Sequence, residues 1–289
     1  MCRKRVTRRR LLKCGAVLAV AGAGAAYARW AELEWIEVTR HDLPVPHLPA
    51  AWDGARVALI ADLHHCARVP LDYLARAIEQ VKALEPDLLA VAGDLILFNI
   101  PENAERVAGL FAGLRPPHGV FACLGNHDYG LTHSLAEPAV RDLGVTENLK
   151  KNGVRVLRNE AVRLTRGGQD LWVAGADELW ACRCEPRRAM RDVPAGAANL
   201  MLCHNPDAAD ELAAAGCGPI LAGHTHGGQV RIPFIGPILL PVKNRSRDQG
   251  LHVVGRTCVY VTRGIGWTYR VRFACRPEIS LLTLRPAPG

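Results

Sequence analysis

The chain has 289 residues, of which 49% are hydrophobic and 22% charged, enough to bury one large core or two smaller ones. This composition excludes a disordered chain. The formal net charge of +8 does not indicate a nucleic-acid-binding protein, because its excess is concentrated at one end. Residues 1–28 hold seven basic residues and no acid, whereas the rest of the chain holds 29 basic and 28 acidic residues.

Residues 1–28 have the pattern of an export signal. A basic segment precedes an apolar run from Cys14 to Ala28 that ends in small residues. Within the basic segment, Thr7-Arg8-Arg9-Arg10-Leu11-Leu12-Lys13 resembles the twin-arginine translocation signal, which implies export of a folded protein through the twin-arginine translocon. A basic arm that binds acidic lipid or nucleic acid is the alternative.

The domain plan follows from this segment. We predict a signal peptide or anchor over residues 1–28, a linker and N-terminal extension over 29–55, and one catalytic domain over 56–289. The sequence leaves open whether the signal is cleaved after Ala28 or kept. The expected location is therefore the periplasm, either free or anchored to the membrane.

Ten cysteines are present, and two of them, Cys2 and Cys14, lie in the signal. The even number that remains permits disulfides in an oxidising compartment, but several lie in apolar runs, where cysteine is a small buried hydrophobe. Cys182-Arg183-Cys184 has no second pair at zinc-finger spacing. We interpret the cysteines as core residues or possible bridges, not as metal ligands.

The first half of the chain alternates between strands and helices. Apolar runs predict strands over 56–61, 87–92 and 119–124, and helical periodicity predicts helices over 71–84 and 101–114. This order is a series of βαβ units, so the three strands should be parallel. Each strand ends in polar residues, which is where open α/β sheets place their sites.

The second half has shorter elements. A helix is predicted at about 206–215, just before an apolar strand and the segment Gly223–Gln229. The other predicted strands lie at 154–164, 171–176, 199–203, 251–254, 257–262, 271–274 and 279–284. Their turn-rich spacing indicates an antiparallel or mixed sheet. Two packed sheets with helices outside is the simplest architecture for the whole domain.

The strand ends of both halves supply oxygen and imidazole donors. This donor set suits zinc, manganese or iron better than a thiolate site would. Two cations about 3.5–4 Å apart need one bridging carboxylate and further terminal ligands. The donors are, in chain order, Asp62, His64, Asp94, Asn126, His127, His204, His224 and His226.

These residues resemble the complete signature of the calcineurin-like metallophosphoesterases, with all pieces in order between Arg56 and Gln229. The resemblance implies an α/β fold, a four-layer αββα sandwich of two mixed sheets flanked by helices, with two divalent ions. It also implies that Asp94 bridges the two ions. Asp62, His64 and His226 would hold the first ion, and Asn126, His204 and His224 the second.

The chemistry of such a centre is hydrolysis of a phosphoric ester. Water coordinated by metal loses its proton near pH 7, and a bridging hydroxide can attack phosphorus in line. The resemblance implies that His127 donates a proton to the leaving oxygen or stabilises the transition state. Asp128 either orients His127 through a hydrogen bond or caps a turn, and the sequence leaves both roles open.

Further motifs indicate a branch of this family. Cys203–Asp207, Gly175–Glu178, His226–Gln229 and Arg263–Gly266 resemble exported or membrane-associated phosphoesterases related to UDP-2,3-diacylglucosamine pyrophosphatases. This implies cleavage of a phosphodiester or pyrophosphate in a phosphorylated lipid or nucleotide-lipid, such as a precursor in lipid A biosynthesis. The alternatives are a phosphoprotein or nucleotide phosphatase, or a scaffold that binds metal without turnover.

Candidate substrate contacts lie near the motifs. His65 is either a substrate contact or a surface residue, and Arg231 and Arg263 either bind a phosphate or headgroup or are ordinary surface charges. The apolar stretch 232–241 is either core or a lip that receives acyl chains or contacts the membrane surface.

Overall fold

The computed structural model describes residues 14, 15, 19, 22–98, 100–138 and 141–288. Within these ranges the strands form two six-stranded sheets and a two-stranded hairpin. The first sheet contains, from edge to edge, β1 (Glu37–Val45), β14 (Glu278–Pro286), β2 (Arg56–Ile60), β3 (Leu88–Ala92), β4 (Val120–Cys123) and β5 (Arg155–Val156). The strands from β2 to β5 are parallel, and β14 runs antiparallel to β2, so the sheet is mixed.

The second sheet is also mixed. It contains β12 (Gly250–Val254), β13 (Thr257–Val261), β9 (Ile220–Ala222), β8 (Asn199–Leu202), β7 (Gln169–Gly175) and β6 (Glu160–Arg166), in that order. The hairpin pairs β10 (Arg231–Ile232) with β11 (Gly236–Pro237). Beyond residue 36, the described part of the chain contains the α-helices α1 (Leu71–Ala83), α2 (Pro101–Gly109), α3 (Val145–Lys151), α4 (Pro186–Ala189) and α5 (Ala209–Ala214).

The two sheets pack face to face, with helices on both outer faces. Alternation along β2 shows this directly: Val57 and Leu59 lie in the core between the sheets, whereas Ala58 and Ile60 lie in the core under α1. A third apolar cluster joins the outer face of the second sheet to Leu212 of α5. The predicted four-layer αββα sandwich is therefore confirmed.

Helix α1 shows why these segments fold as they do. Leu74, Ala77, Ile78 and Val81 recur at helical spacing and are buried against the first sheet. The helix ends shortly before Pro86, because proline disfavours helical backbone in the residue before it. It thus returns the chain to start β3 beside β2, as a parallel crossover requires.

Part of the predicted linker belongs to the sheet. Residues Glu37–Val45 form β1, which pairs in parallel with β14 at the sheet edge, and Leu43 and Val45 are fully buried between the sheets. Trp52 is buried as well, and its indole N–H donates to the Gln169 carbonyl at 3.0 Å. The proline-rich composition had favoured a linker, but a parallel edge strand tolerates prolines whose nitrogens face outward.

The strand predicted at 271–274 is absent from the described part of the chain. This stretch makes one isolated bridge, between Phe273 and Val230. The buried Arg272 guanidinium instead donates to the carbonyls of Cys275, Gly266 and Gly264, and these bonds shape the segment as a loop. An apolar run alone does not reveal such a buried cation.

The predicted twin-arginine motif lies outside the described residues. The helical stretch 22–34 that follows it packs on the domain through Ala28 and Leu33. No helix in the portion of the chain that the structure covers combines the length and the apolar character that a bilayer crossing needs. The cysteines described, from Cys14 to Cys275, are free thiols, and six of them are buried.

Candidate metal centre

The carboxyl ends of five strands from the two sheets meet at one end of the sandwich. Asp62 follows β2, Asp94 follows β3, Asn126 follows β4, His204 follows β8 and His224 follows β9. Backbone bonds hold neighbouring strand ends in register: the Asp62 N–H donates to the Gly93 carbonyl at 2.9 Å. The topology thus assembles side chains that are up to 164 residues apart in sequence, from Asp62 to His226.

The backbone at these strand ends is strained. Left-handed φ values are uncommon for residues other than glycine, and each costs free energy. Yet five candidate ligands adopt them, namely Asp62, His64, Asp94, His224 and His226, with φ between 49° and 72°. Such clustering is typical of sites where function, not stability, determines the conformation.

Glycines make room for the carboxylates. A Cβ on Gly125 would collide with the Asp94 carboxylate, and a Cβ on Gly223 would lie 2.8 Å from Oδ2 of Asp62. Both glycines belong to the sequence motifs identified above. Their role is therefore steric: they let backbone approach each carboxylate.

A first cluster contains Asp62, His64 and His226. The Nε2 atoms of the two histidines are 2.9 Å apart, and Oδ1 of Asp62 lies 3.8 Å from His64 and 3.6 Å from His226. The two rings stack at 4.8 Å. Three donor atoms that converge at these distances match the geometry of one metal position.

A second cluster contains Asp94, His204 and His224. Nε2 of His204 lies 3.1 Å from Oδ2 of Asp94 and 3.1 Å from Nδ1 of His224. The same Asp94 oxygen lies 3.6 Å from Nε2 of His64 in the first cluster. Asp94 therefore stands between the two clusters, where the resemblance had placed the bridging ligand.

The side chain of Asn126 shows whether the candidate site suits a cation. Its amide nitrogen donates to the Leu131 carbonyl at 2.7 Å, which fixes the orientation of the side chain. Its Oδ1 is buried and has no hydrogen-bond partner among the described residues. A buried acceptor without a donor is costly, and coordination by a cation would satisfy it. The donor set of imidazole, carboxylate and amide oxygen fits a divalent metal.

Burial sets the protonation of the ligands. Burial lowers the pKa of His64 and of His224 to about 3, so both imidazoles are neutral and able to bind metal. Burial, reinforced by the charge of Asp94, raises the pKa of Asp62 to about 7. Crowded carboxylates of this kind favour a cation between them.

His204 behaves differently from the other imidazoles. Burial opposes its charge, but the carboxylates of Asp94, Asp62 and Glu178 raise its pKa to about 10. Its Nδ1 faces the Ala92 carbonyl at 2.7 Å, and this bond orients the ring so that Nε2 faces Asp94. A metal bound at Nε2 would replace the proton on that atom. The hydrogen bond between Nδ1 and the Ala92 carbonyl would stay in place.

His127 stands beside the metal ligands and reaches the surface. Its ring meets the His64 ring edge to face, with 5.0 Å between centroids, and its ring nitrogen groups with donor atoms of His64 and Asp94. Its backbone N–H donates to Oδ1 of Asp94 at 2.9 Å. The half-buried imidazole therefore lies at the edge of the candidate ligands His64 and Asp94.

Asp128 takes the turn-holding role of the two that were predicted. Its Oδ2 accepts N–H bonds from Asp94 at 3.0 Å and Gly125 at 2.9 Å, and Oδ1 accepts from Leu95 at 2.9 Å and Ile96 at 3.3 Å. These four backbone bonds occupy both oxygens and join the ends of β3 and β4. The predicted hydrogen bond to His127 is not among them.

The three predicted substrate contacts have other partners in the fold. Arg263 forms a buried ion pair with Glu278 at 3.0 Å and a further pair with Glu37 at 2.8 Å. Arg231 pairs with Asp248 at 2.6 Å. His65 is buried, and its Nδ1 faces the Val69 carbonyl at 3.1 Å. Substrate contact by these residues therefore stays a prediction, and the structure adds partners that are distant in the chain and that residue type and sequence position do not reveal.

Sequence reasoning missed the residues that line the cleft at His127. A cavity of about 240 Å³ opens there, with Arg68, Phe98 and Tyr269 on its walls. The Arg68 guanidinium lies over the Phe98 ring at 5.6 Å and has no ion pair among the described residues. The available signal was position: Arg68 and Phe98 each follow a strand-end motif by four residues, where loops line α/β sites.

Trp180 was missed too. Its ring meets His224 edge to face at 4.6 Å and so shields one side of the second cluster. Nearby, burial raises the pKa of Glu178 to about 7. Both residues belong to the loop after β7, which the sequence had indicated only as a marker of the branch.

Comparison with known proteins agrees with this geometry. A family model described as "Calcineurin-like phosphoesterase" matches residues 55–228. Phosphodiesterase YaeI of Escherichia coli is 33% identical, with 96% of this chain and 99% of that protein covered. The uncharacterized metallophosphoesterase YkuE of Bacillus subtilis is 31% identical, with coverage of 98% and 99%. UDP-2,3-diacylglucosamine pyrophosphatase LpxG of Chlamydia trachomatis is 27% identical, with coverage of 89% and 91%.

The fold and site therefore define a metal-dependent phosphoric ester hydrolase. The chain belongs to the calcineurin-like phosphoesterase family. This confirms the family prediction and the enzyme class. The candidate ligand clusters, together with the fold, imply divalent metal ions.

Proposed function

We propose that the protein is a dinuclear metal-dependent hydrolase that cleaves a phosphodiester or pyrophosphate bond in a phosphorylated lipid or nucleotide-lipid of the cell envelope. The observation that carries the two-metal proposal is Asp94, whose Oδ2 faces His64 at 3.6 Å and His204 at 3.1 Å. One carboxylate between two histidine clusters is the arrangement that two neighbouring cations require.

The residues of the site would bind the two ions and supply the proton donor. Asp62, His64 and His226 would hold one ion, and Asn126, His204 and His224 the other, with Asp94 shared. Bound divalent ions supply a Lewis acid that lowers the pKa of water to about 7 and neutralises phosphoryl charge. His127, whose ring contacts that of His64, would donate a proton to the leaving oxygen.

The cleft beside His127 supports a leaving group that is partly apolar and partly charged. Leu97, Phe98 and Tyr269 offer apolar surface, and Arg68, which lies over the Phe98 ring, offers a cation that has no acidic partner in the described chain. A lipid phosphate or a nucleotide-lipid combines these two properties, whereas a phosphopeptide does so only in part. Two relatives, named for phosphodiesterase and UDP-2,3-diacylglucosamine pyrophosphatase activity, support this substrate class.

A substrate panel with metal-loaded protein tests the proposal. We expect hydrolysis of bis(p-nitrophenyl) phosphate, and faster turnover of UDP-diacylglucosamine or a phospholipid diester than of free nucleotides and phosphopeptides. Preference for phosphopeptides or nucleotides would refute the lipid assignment. Absence of all turnover by protein with a full metal complement would favour a metal-binding scaffold.

Export is part of the proposal. The twin-arginine-type motif at 7–13 and the apolar run that follows it support delivery of a folded, metal-loaded protein to the periplasm or the outer face of the membrane. Cell fractionation tests this with Arg8→Lys and Arg9→Lys together, which should retain the protein in the cytoplasm. Unchanged export of the double variant would contradict it.

A further inference from the structure

The hairpin of β10 and β11 projects apolar side chains into solvent. Phe234 is fully exposed, Ile235 is 76% exposed and Leu239 is 67% exposed. Contiguous exposed apolar residues of this kind mark an interaction surface more often than chance. We call residues 232–239 the apolar hairpin.

The aromatic residue at the tip of the apolar hairpin, Phe234, has a strained backbone conformation. Phe234 has φ 67°, in the left-handed region that glycine or asparagine adopts more easily. Its side chain makes no core contact that would repay this cost, since it is fully exposed. The aromatic group is therefore available to something outside the chain.

The base of the apolar hairpin is built on the metal centre. His224 Nε2 lies 3.1 Å from the Pro241 carbonyl, just beyond the apolar hairpin. At the other side, the Arg231 N–H donates to the Phe273 carbonyl and the Phe273 N–H donates to the Gln229 carbonyl, both at 2.9 Å. The hairpin and the candidate site therefore belong to one face of the protein.

The N-terminal segment reaches the same face. The Arg272 N–H donates to the Ala28 carbonyl at 3.0 Å, and the buried Glu32 carboxylate accepts from the N–H groups of Ala274 and Cys275. The loop around Phe273 thus holds both the hairpin base and the point at which the basic, apolar arm of residues 1–28 joins the domain. Trp30 and Tyr269, each 65% exposed, lie on these segments.

Basic residues are concentrated in the two segments beside the apolar hairpin, and the acids that contact the first of them, Asp248 and Asp207, come from outside it. No aspartate or glutamate occurs in residues 227–247 or in 263–276, which together contain eight lysines and arginines. Three of these, Lys243, Arg245 and Arg270, are exposed and make no ion pair with any residue the structure describes. The Arg245 guanidinium donates to the Pro237 carbonyl at 3.2 Å, so its charge lies against the hairpin.

We propose that the apolar hairpin docks the face of the metal centre onto an anionic lipid bilayer, with Phe234 and Ile235 among the acyl chains and Lys243, Arg245 and Arg270 at the headgroups. Aliphatic and aromatic tips beside unpaired cations match the interface of such a bilayer. A nucleic acid or an acidic peptide would use the cations but leave the apolar tip in water. The docking extends the proposed lipid hydrolysis, because a lipid substrate would meet the site from the bilayer, but it does not require turnover.

Fluorescence quenching by brominated lipid tests the docking directly. The full chain carrying Phe234→Trp is mixed with vesicles of brominated phosphatidylcholine and phosphatidylglycerol, and the wild-type signal from its six tryptophans is subtracted. We expect quenching of the added tryptophan. The matched control is Val253→Trp: Val253 is 83% exposed but pairs with Cys258, at the end of β13 remote from the site. No quenching at position 234 beyond that at position 253 would overturn the proposal.

Two further experiments identify what binds the apolar hairpin. Lys243→Gln with Arg245→Gln should weaken binding to vesicles that contain phosphatidylglycerol by about fivefold per charge, and should have little effect on vesicles of phosphatidylcholine alone. Equal binding to both vesicles would overturn the role of the cations. If the added tryptophan becomes buried with rising protein concentration and no lipid, the hairpin is a contact between two copies of the chain, and the proposal fails.

Turnover of bis(p-nitrophenyl) phosphate separates this proposal from the proposed function. Phe234→Ser with Ile235→Ser should keep that activity, because neither side chain touches the metal centre, while losing turnover of substrate embedded in vesicles. If the wild type hydrolyses no diester and the tryptophan of the Phe234→Trp variant is still quenched by brominated lipid, the docking stands and the proposed function fails.

Discussion

Oδ2 of Asp94 lies 3.1 Å from Nε2 of His204, and both side chains are closed to solvent. Because the same oxygen faces His64 on its other side, Asp94 is the carboxylate that joins the two histidine clusters. The remaining ligands each belong to one cluster. This difference makes the number of metal ions testable by mutation.

Metal content should depend on which ligand is removed. We expect His226→Ala to lose one of the two proposed ions and Asp94→Asn to lose or loosen both, because Oδ2 of Asp94 lies near histidines of both clusters. Elemental analysis of protein purified without chelator measures this. Loss of a residue that only supports a metal ligand typically lowers activity about 10–100-fold. Activity should fall further than this in both variants, because each lacks a ligand itself. The same metal content in both variants would contradict the proposal that Asp94 is a ligand of both ions.

His127 should matter most for poor leaving groups. We expect His127→Ala to slow hydrolysis of an alkyl phosphodiester by about 10²–10⁴-fold, because the leaving alkoxide then lacks a proton donor. The loss should be smaller with p-nitrophenolate, which leaves without a proton. Metal content should not change, and His133→Ala, an exposed histidine in the same loop, should behave as wild type. Equal losses on both substrates would exclude proton donation.

Asp128 should prove structural. We expect Asp128→Asn to lower the free energy of unfolding by about 1–3 kcal/mol, because the new amide NH₂ would face backbone N–H donors that now bind a carboxylate oxygen. Urea denaturation measures the change, with the exposed Asp72→Asn as control. An unchanged unfolding midpoint with lower turnover would instead support the role of orienting His127.

Arg68 should bind substrate without taking part in chemistry. We expect Arg68→Ala to raise KM for a charged lipid or nucleotide-lipid substrate about tenfold and to leave kcat near its wild-type value, because an exposed cation acts in binding. Arg68→Lys should recover part of the loss. Arg76→Ala, an exposed arginine on α1, is the matched control. A fall in kcat with unchanged KM would argue against this role.

Glu278 should make stability depend on pH. Burial opposes its charge, but Arg263 and hydrogen bonds from Thr39 and Tyr260 outweigh burial and lower its pKa below the usual 4.5. A lowered carboxyl pKa gives stability that is present above about pH 4.5 and is lost as the pH falls through the folded-state value.

We therefore expect Glu278→Gln to destabilise the protein by about 3 kcal/mol at neutral pH, because it leaves Arg263 poorly compensated. The difference from wild type should narrow as the pH falls below 4.5. Denaturation midpoints across this range measure it. Glu79→Gln on the exposed face of α1 should have little effect at any pH. A difference that does not vary with pH would show that the charge of Glu278 is not what stabilises the fold.

Local patterns were sufficient for the parts of the fold that depend on neighbours in sequence. The spacing of Leu74, Ala77 and Ile78 predicts α1, and the apolar runs before Asp62 and Asp94 predict β2 and β3. The candidate ligands were found because parallel strands bring their carboxyl ends together, so polar residues at successive strand ends must converge. That inference needs only the order of the predicted strands and helices and the hydrophobic periodicity that predicts them.

Partners that are far apart in sequence were decided by the tertiary structure. Arg263 had the charge of a substrate contact, but Glu278 and Glu37 occupy it. Arg68 had only its position after a strand-end motif as a signal, and the fold places it in a cleft with Phe98, His127 and Tyr269. The sequence by itself predicted the candidate ligands at successive strand ends, and its resemblance to a known family implied the sandwich, because both depend on short motifs that a single sequence records. Only the packing of distant loops decided which charges are paired, which remain free and where the apolar hairpin stands, since those depend on contacts that no local pattern records.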